Sequence, residues 1–76
     1  MEIQDFIKKF AELFEETGLE LFTPETAYKT LEEWSSLMSL SVIAMVDEEY
    51  DVKVKGDDIK TANTIEDLYN LVKSRK

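Results

Sequence analysis

Cysteine and histidine are both missing from these 76 residues. Their absence excludes disulfides, thiolate zinc sites, thiol nucleophiles and imidazole acid–base chemistry. Basic residues are scarce as well: nine Lys and Arg stand against seventeen Asp and Glu, for a formal charge of −8. Phosphate backbones are bound through clustered Lys and Arg, so nucleic acid is not an expected partner. Long apolar runs are lacking too. The longest, Val42 to Val46, falls far short of the ~20 residues that cross a bilayer. The opening Met1 to Asp5 carries acids where a secretion signal has a basic stretch. The chain is therefore expected to be soluble and cytoplasmic, with no membrane insertion.

What is present is a 43% hydrophobic content in a short chain. One domain spanning residues 1–76 is expected, with a modest core that removes roughly 60–65% of the unfolded surface from water. A domain of this size rarely encloses both a deep pocket and a set of catalytic groups, and nothing resembles a phosphate-binding loop or a dinucleotide fingerprint. Enzyme activity is not expected. The charge is uneven: between Glu12 and Asp51 eleven acids face Lys29 alone, whereas Lys73, Arg75 and Lys76 gather at the end. A field of that kind steers basic partners and discourages self-association, so a monomer is expected, although solubility by itself accounts equally well for the acids.

The apolar spacing defines the elements. Ile3, Phe6, Ile7, Phe10, Leu13 and Phe14 recur as the stripe of an amphipathic helix, with Thr17-Gly18 as its stop and Gly18 available as a left-handed cap. From Leu19 to Trp34 the pattern loosens into a long connection. Thr23-Pro24-Glu25 offers a short helical turn there, and Leu21, Phe22, Tyr28 and Leu31 are available to pin it to the core. A second helix runs from Ser35 or Ser36, either of which can cap it, to about Tyr50. Leu37, Leu40, Ile43, Ala44, Val46 and Tyr50 are expected to face inward, and Met38, Ser39, Ser41, Met45 and Glu48 outward. Val52 to Lys55 is an extended connection and Asp57 to Lys60 a single helical turn. Thr64, with Asp67 three positions on, opens a last helix whose basic end suits the helix dipole. The expected fold is all-α: a small helical bundle of three principal helices plus a short one, with a long first loop.

Two acidic arrangements carry little chemistry. Asp47, Glu49, Asp51 and Asp58 are spaced like calcium-loop ligands, but Val52 stands where the sharp turn needs glycine and the last ligand is Asp in place of Glu, so no metal site is expected. Glu32 and Glu33, adjacent on the chain, read as a solvated face.

By itself Ser36 is an ordinary helix-start serine. Its surroundings say more. Trp34-Ser35-Ser36-Leu37, followed by Leu40, Val42-Ile43, Val46 and Asp47-Glu48-Glu49-Tyr50-Asp51-Val52, resembles the second helix of acyl and peptidyl carrier proteins. That family shows Asp-Ser-Leu, apolar residues at the same offsets, and an acidic–aromatic ending such as Glu-Glu-Phe-Asp-Ile. An amphipathic first helix, a long loop, the Asp57-Asp58 turn and the Thr64 helix follow in family order, so the resemblance spans nearly the whole chain. It implies that the Ser36 hydroxyl receives 4'-phosphopantetheine from coenzyme A through a phosphopantetheinyl transferase, and that acyl groups ride on the arm's thiol as thioesters. A helix start suits a phosphodiester, because unpaired N–H groups and the positive dipole end lie there. The family's Asp before the serine is Ser35 here, which removes a carboxylate and makes Ser35 the alternative attachment point.

The resemblance also implies that acyl-loading and acyl-processing enzymes with basic patches dock on the second helix. Met38, Ser41, Met45, Asp47 and Glu48 are the docking candidates, with Met38 and Met45 forming an apolar patch. Val46, Ile59, Ala62 and Leu68 are candidates to line an acyl cleft, and equally ordinary core. Fatty-acid or related lipid or polyketide biosynthesis is the expected setting. The alternative is a carrier-like interaction module that is never modified.

Overall fold

The stripe of the first segment folds as its spacing predicts and then stops early. In the computed structural model, which describes residues 2–76, α1 spans Ile3–Ala11, with Phe6, Ile7, Phe10 and Ala11 buried. Leu13 and Phe14 continue for a tighter turn, their N–H groups donating to Phe10 O (3.2 Å) and Ala11 O (3.0 Å). Beyond them the backbone turns to another partner: Glu15, Glu16 and Thr17 donate to the carboxylate of Glu33 at 3.2, 3.0 and 2.6 Å. A side chain far along the sequence thus takes the N–H groups that would have prolonged the helix. Gly18, expected as a left-handed cap, has φ −70° and extended backbone.

The long first loop holds two 3-10 turns, Leu19–Leu21 and Tyr28–Thr30. Thr23 to Thr26 close a turn (Thr26 N–H to Thr23 O, 3.0 Å) without the expected helical turn at Pro24. Phe22 and Tyr28 are buried, whereas Leu21, expected as an anchor, lies in solvent. Aromatic rings fix the loop to α1: Phe10 contacts Phe14, Phe22, Tyr28 and Trp34 at ring-centroid separations of 5.6, 6.1, 5.5 and 6.5 Å. The loop also ties down the far side of the molecule. The Tyr28 hydroxyl donates to Ile59 O (2.6 Å) and Ala62 O (3.1 Å), and the N–H groups of Ile65 and Glu66 donate to Thr26 O and Pro24 O.

Three further helices follow: α2, Ser36–Tyr50; α3, Gly56–Thr61; and α4, Ile65–Arg75. α2 ends at Asp51, which adopts a left-handed conformation (φ 56°), and Val52 and Val54 are buried along the extended link to α3. α4 starts as expected: Asp67 N–H donates to Thr64 Oγ1 (3.1 Å) and Thr64 N–H to Asp67 Oδ2 (3.2 Å), two orphan donors satisfied reciprocally. Asp58 joins the two short ends, accepting from Lys55 N–H (2.8 Å) and from both guanidinium nitrogens of Arg75 (2.7 and 3.0 Å). The fold is the expected all-α arrangement.

The inward face of α2 differs from the expected one. Val42, Met45, Val46 and Tyr50 are buried, while Leu37 and Leu40 are 71% and 62% exposed and Ala44 is exposed as well. At about 100° per residue, nine positions separate Leu37 from Val46 by about half a turn of the wheel, so the two cannot share a face. Apart from its serines, α2 is apolar on every side from Leu37 to Val46. Hydrophobicity alone therefore leaves its orientation undetermined, and packing against Phe6 and the rest of the core selects the stripe through Val42, Val46 and Tyr50.

Candidate functional site

Adjacent serines at the start of α2 divide two tasks. Ser35 is extended (φ −157°, ψ 174°) and is the N-cap: its Oγ accepts from Met38 N–H at 3.3 Å, and its carbonyl accepts from Ser39 N–H at 3.1 Å. An Asp in this position would cap in the same manner, so Ser35 retains the capping function and loses the charge. Ser36 is the first residue of the helix. It is exposed, and its hydroxyl makes no hydrogen bond to another described residue. The residue just before the pair is packed in place: the Trp34 ring lies on Tyr28 at 4.9 Å and on Phe14 at 6.4 Å, and its backbone N–H donates to Leu31 O (3.0 Å).

A phosphodiester on Ser36 fits these surroundings. The first turn of α2 contains no acid to repel it. The leading N–H groups of a helix have no intrahelical partner and point toward such a group, and the dipole favours its negative charge there. The acids of the helix, Asp47, Glu48 and Glu49, are at the opposite end.

Of the expected docking residues, Ser41, Met45 and Glu48 line one shallow depression of about 390 Å³ between α1 and α2, together with Lys9, Leu13 and Glu49. The two methionines do not project from it. Met45 is only 8% exposed and Met38 is packed against the core, contrary to the outward direction expected of both. The apolar groups that do project are Leu37 and Leu40. Asp47 forms an ion pair with Lys53 at 2.8 Å. Val46, Ile59 and Leu68, expected as cleft lining, are buried in the single core cluster. Ala62 also borders an open depression of about 310 Å³ with Asp58, Thr61, Asp67 and Leu71. The calcium-like acids are not gathered: Asp47 pairs with Lys53 and Asp58 with Arg75, and among the described residues no cluster is placed to hold a metal ion.

Glu33 proves to be more than a solvated acid. Besides three backbone donors it accepts from the Thr17 hydroxyl at 2.6 Å, and that hydroxyl, followed by the N–H groups, holds its carboxyl below the ordinary carboxylate range. The Arg75 guanidinium does the same for Asp58. Burial pushes the Tyr28 phenol up to about 12, so it stays a protonated donor to α3 at any physiological pH. No local signal in the sequence marks Glu33, since its partners lie 16 to 18 residues earlier.

The model of a family described as a phosphopantetheine attachment site matches residues 6–72. No curated protein and no solved structure matches the chain. Among the described residues, no helix is long and apolar enough to cross a membrane.

Proposed function

The chain belongs to the phosphopantetheine-attachment family, and on that premise we propose that Ser36 carries the arm and that acyl groups travel on it as thioesters. Members of the family bind covalently attached 4'-phosphopantetheine and are carriers, not catalysts. The arm supplies the terminal thiol that this cysteine-free chain does not encode. What this chain contributes is a hydroxyl in the right state. The Ser36 oxygen attacks the coenzyme A phosphorus within a transferase, its proton leaves to a base, and the bond to the adenosine bisphosphate half breaks.

The observation that carries the choice of Ser36 is the division between the two serines. Ser35 Oγ is engaged in capping, and withdrawing it frees the Met38 N–H, whereas Ser36 Oγ is exposed and unengaged. Partner enzymes with basic patches dock, in this reading, on the outer side of α2. Leu37 and Leu40 are its apolar contacts and Ser41, Glu48 and Glu49 its polar ones; Met38 and Met45 support the helix from beneath. Asp47, half-committed to Lys53, contributes less. An acyl chain reaches Val46, Ile59 and Leu68 only if α3 shifts, because those side chains are closed off in the folded core, whereas Ala62 already borders the open depression beside Leu71. The setting is cytoplasmic fatty-acid synthesis or a related lipid or polyketide pathway.

The test is intact-mass measurement after incubation with coenzyme A and a broad-specificity transferase. One added phosphopantetheinyl unit is expected in the wild type and in Ser35→Ala, and none in Ser36→Ala. A folded wild-type chain that gains no mass would instead identify an unmodified interaction module. A gain lost in Ser35→Ala and kept in Ser36→Ala would move the site by one residue.

A further inference from the structure

Away from α2, the first loop presents an apolar surface of its own. Leu19 and Leu21 are 56% and 59% exposed, on either side of a glutamate and just before the buried Phe22. Leu21 borders a hollow of about 640 Å³ whose other walls are Glu16, Thr17, Thr30, Leu31, Glu32 and Glu33. Leu19 borders a smaller one of about 230 Å³ against Lys8, Ala11 and Phe14. The leucines are held outward by an ordered backbone. Leu21 N–H donates to Gly18 O and Phe22 N–H to Leu19 O, both at 3.0 Å, while the Thr26 hydroxyl donates to Leu21 O (3.0 Å) and accepts from Thr23 N–H (2.8 Å). Glu33 fixes the opposite wall through Thr17. The hollow is thus preformed and does not depend on a loop rearranging.

The charge around it selects the occupant. Glu16, Glu32 and Glu33 line the hollow beside Leu21 with no base among them, Lys8 borders only the smaller one beside Leu19, and the nearby Lys29 ammonium is turned to Lys60 O at 2.5 Å. A second copy of this chain, itself at −8, is repelled by such a rim. An anionic lipid surface is repelled for the same reason. A protein segment that offers an apolar side chain flanked by Lys or Arg satisfies both halves of the site, because desolvated leucines supply affinity and opposite charges supply orientation and speed of encounter.

We propose that this first-loop face is a docking surface, separate from α2, for a basic amphipathic segment of a partner protein. An apolar residue of that segment enters beside Leu21 and Leu31, and its cations meet Glu16, Glu20 and Glu32. The surface exists whether or not Ser36 is modified.

The test therefore uses the ¹⁵N-labelled Ser36→Ala chain, titrated with a synthetic leucine–lysine peptide whose leucines form one helical face. Expected are amide shifts concentrated at residues 16–21 and 30–33. Leu21→Asn, an exposed substitution that keeps the amide spectrum folded, weakens binding about tenfold, as burial of one leucine implies. If Leu21→Asn perturbs the fold, Leu19→Asn serves for the same comparison. Shifts confined to residues 37–49, an oligolysine that binds as tightly and in the same place, or leucine-dependent binding to phosphatidylcholine vesicles in place of the peptide would each overturn the proposal.

Discussion

Between Glu12 and Trp34 the chain has almost no regular helix, yet it is tied down repeatedly: to α1 through Phe10 and Phe14, to α3 through Tyr28 and Lys29, to α4 through Pro24 and Thr26, and to itself through Glu33. The first three turns of α2, residues 36–46, show the opposite arrangement. Their backbone is regular, but among the described residues their side chains make no hydrogen bond or ion pair to any other element, and two leucines project into water. The irregular segment is the anchored one and the regular segment presents a free surface. A carrier of a covalent arm needs both properties side by side: a fixed point of attachment and a surface left open to its partners.

If the loop is the anchor, removing its central ring should do the most damage. Phe10 is fully buried and lies against five other aromatic rings, those of Phe6, Phe14, Phe22, Tyr28 and Trp34. Phe10→Ala is expected to cost about 3–5 kcal/mol, a large share of the stability of a small domain. Urea unfolding measures it, and a loss under about 1 kcal/mol would mean the loop is not integral to the core. Tyr28→Phe is a finer cut. The ring stays and the hydroxyl goes, leaving Ile59 O and Ala62 O without their donor in a buried position. A cost of about 1–3 kcal/mol is expected, with amide exchange quickening first in α3.

The Glu33 clamp gives a smaller effect with a distinctive pH signature. The folded-state carboxyl is held below its ordinary value by the Thr17 hydroxyl and then by the N–H groups of Thr17, Glu16 and Glu15. A depressed carboxyl stabilises the fold above its unfolded pKa of about 4.3, and that contribution is lost as pH falls through the lower folded value. Exchange protection of the Glu15 to Thr17 amides should therefore persist at neutral pH and fade only as pH falls below the ordinary carboxylate range. In Glu33→Gln it should already be weak at pH 7. Asp58, depressed by Arg75, titrates in the same direction, so the readout has to be the amides of residues 15–17 and not global stability. Unchanged protection in Glu33→Gln would show that the aromatic cluster holds the loop without help.

How much of this was legible in the sequence follows the range of the forces involved. The start of α4, the inward stripe of α1, the helical turn at Asp57-Asp58 and a serine cap on α2 are local patterns, and all are found where expected. The end of α1 is decided by a carboxylate at position 33, which no local pattern announces. The face of α2 is not fixed by composition, because Leu37 and Leu40 are as hydrophobic as the buried residues; of the two, only Leu37 is set apart by numbering alone, standing about 180° from Val46 on the helical wheel. At the serine pair, a helix start could be recognised from residue types, but which hydroxyl caps and which is free required coordinates.

These two exposed leucines also offer the smallest and most telling substitution. A core leucine exchanged for a polar residue destabilises by several kcal/mol, whereas an exposed one on a helix changes stability by no more than about 0.5 kcal/mol. Leu40→Gln should fall in the second class, since Gln is nearly as good a helix former as Leu and position 40 is 62% exposed. An unfolding midpoint indistinguishable from the wild type, combined with slower arm transfer or acyl loading by partner enzymes, would show that this leucine is retained for contacts made outside the molecule. A drop of several kcal/mol would place Leu40 back in the core and remove the contrast between anchored loop and free helix face.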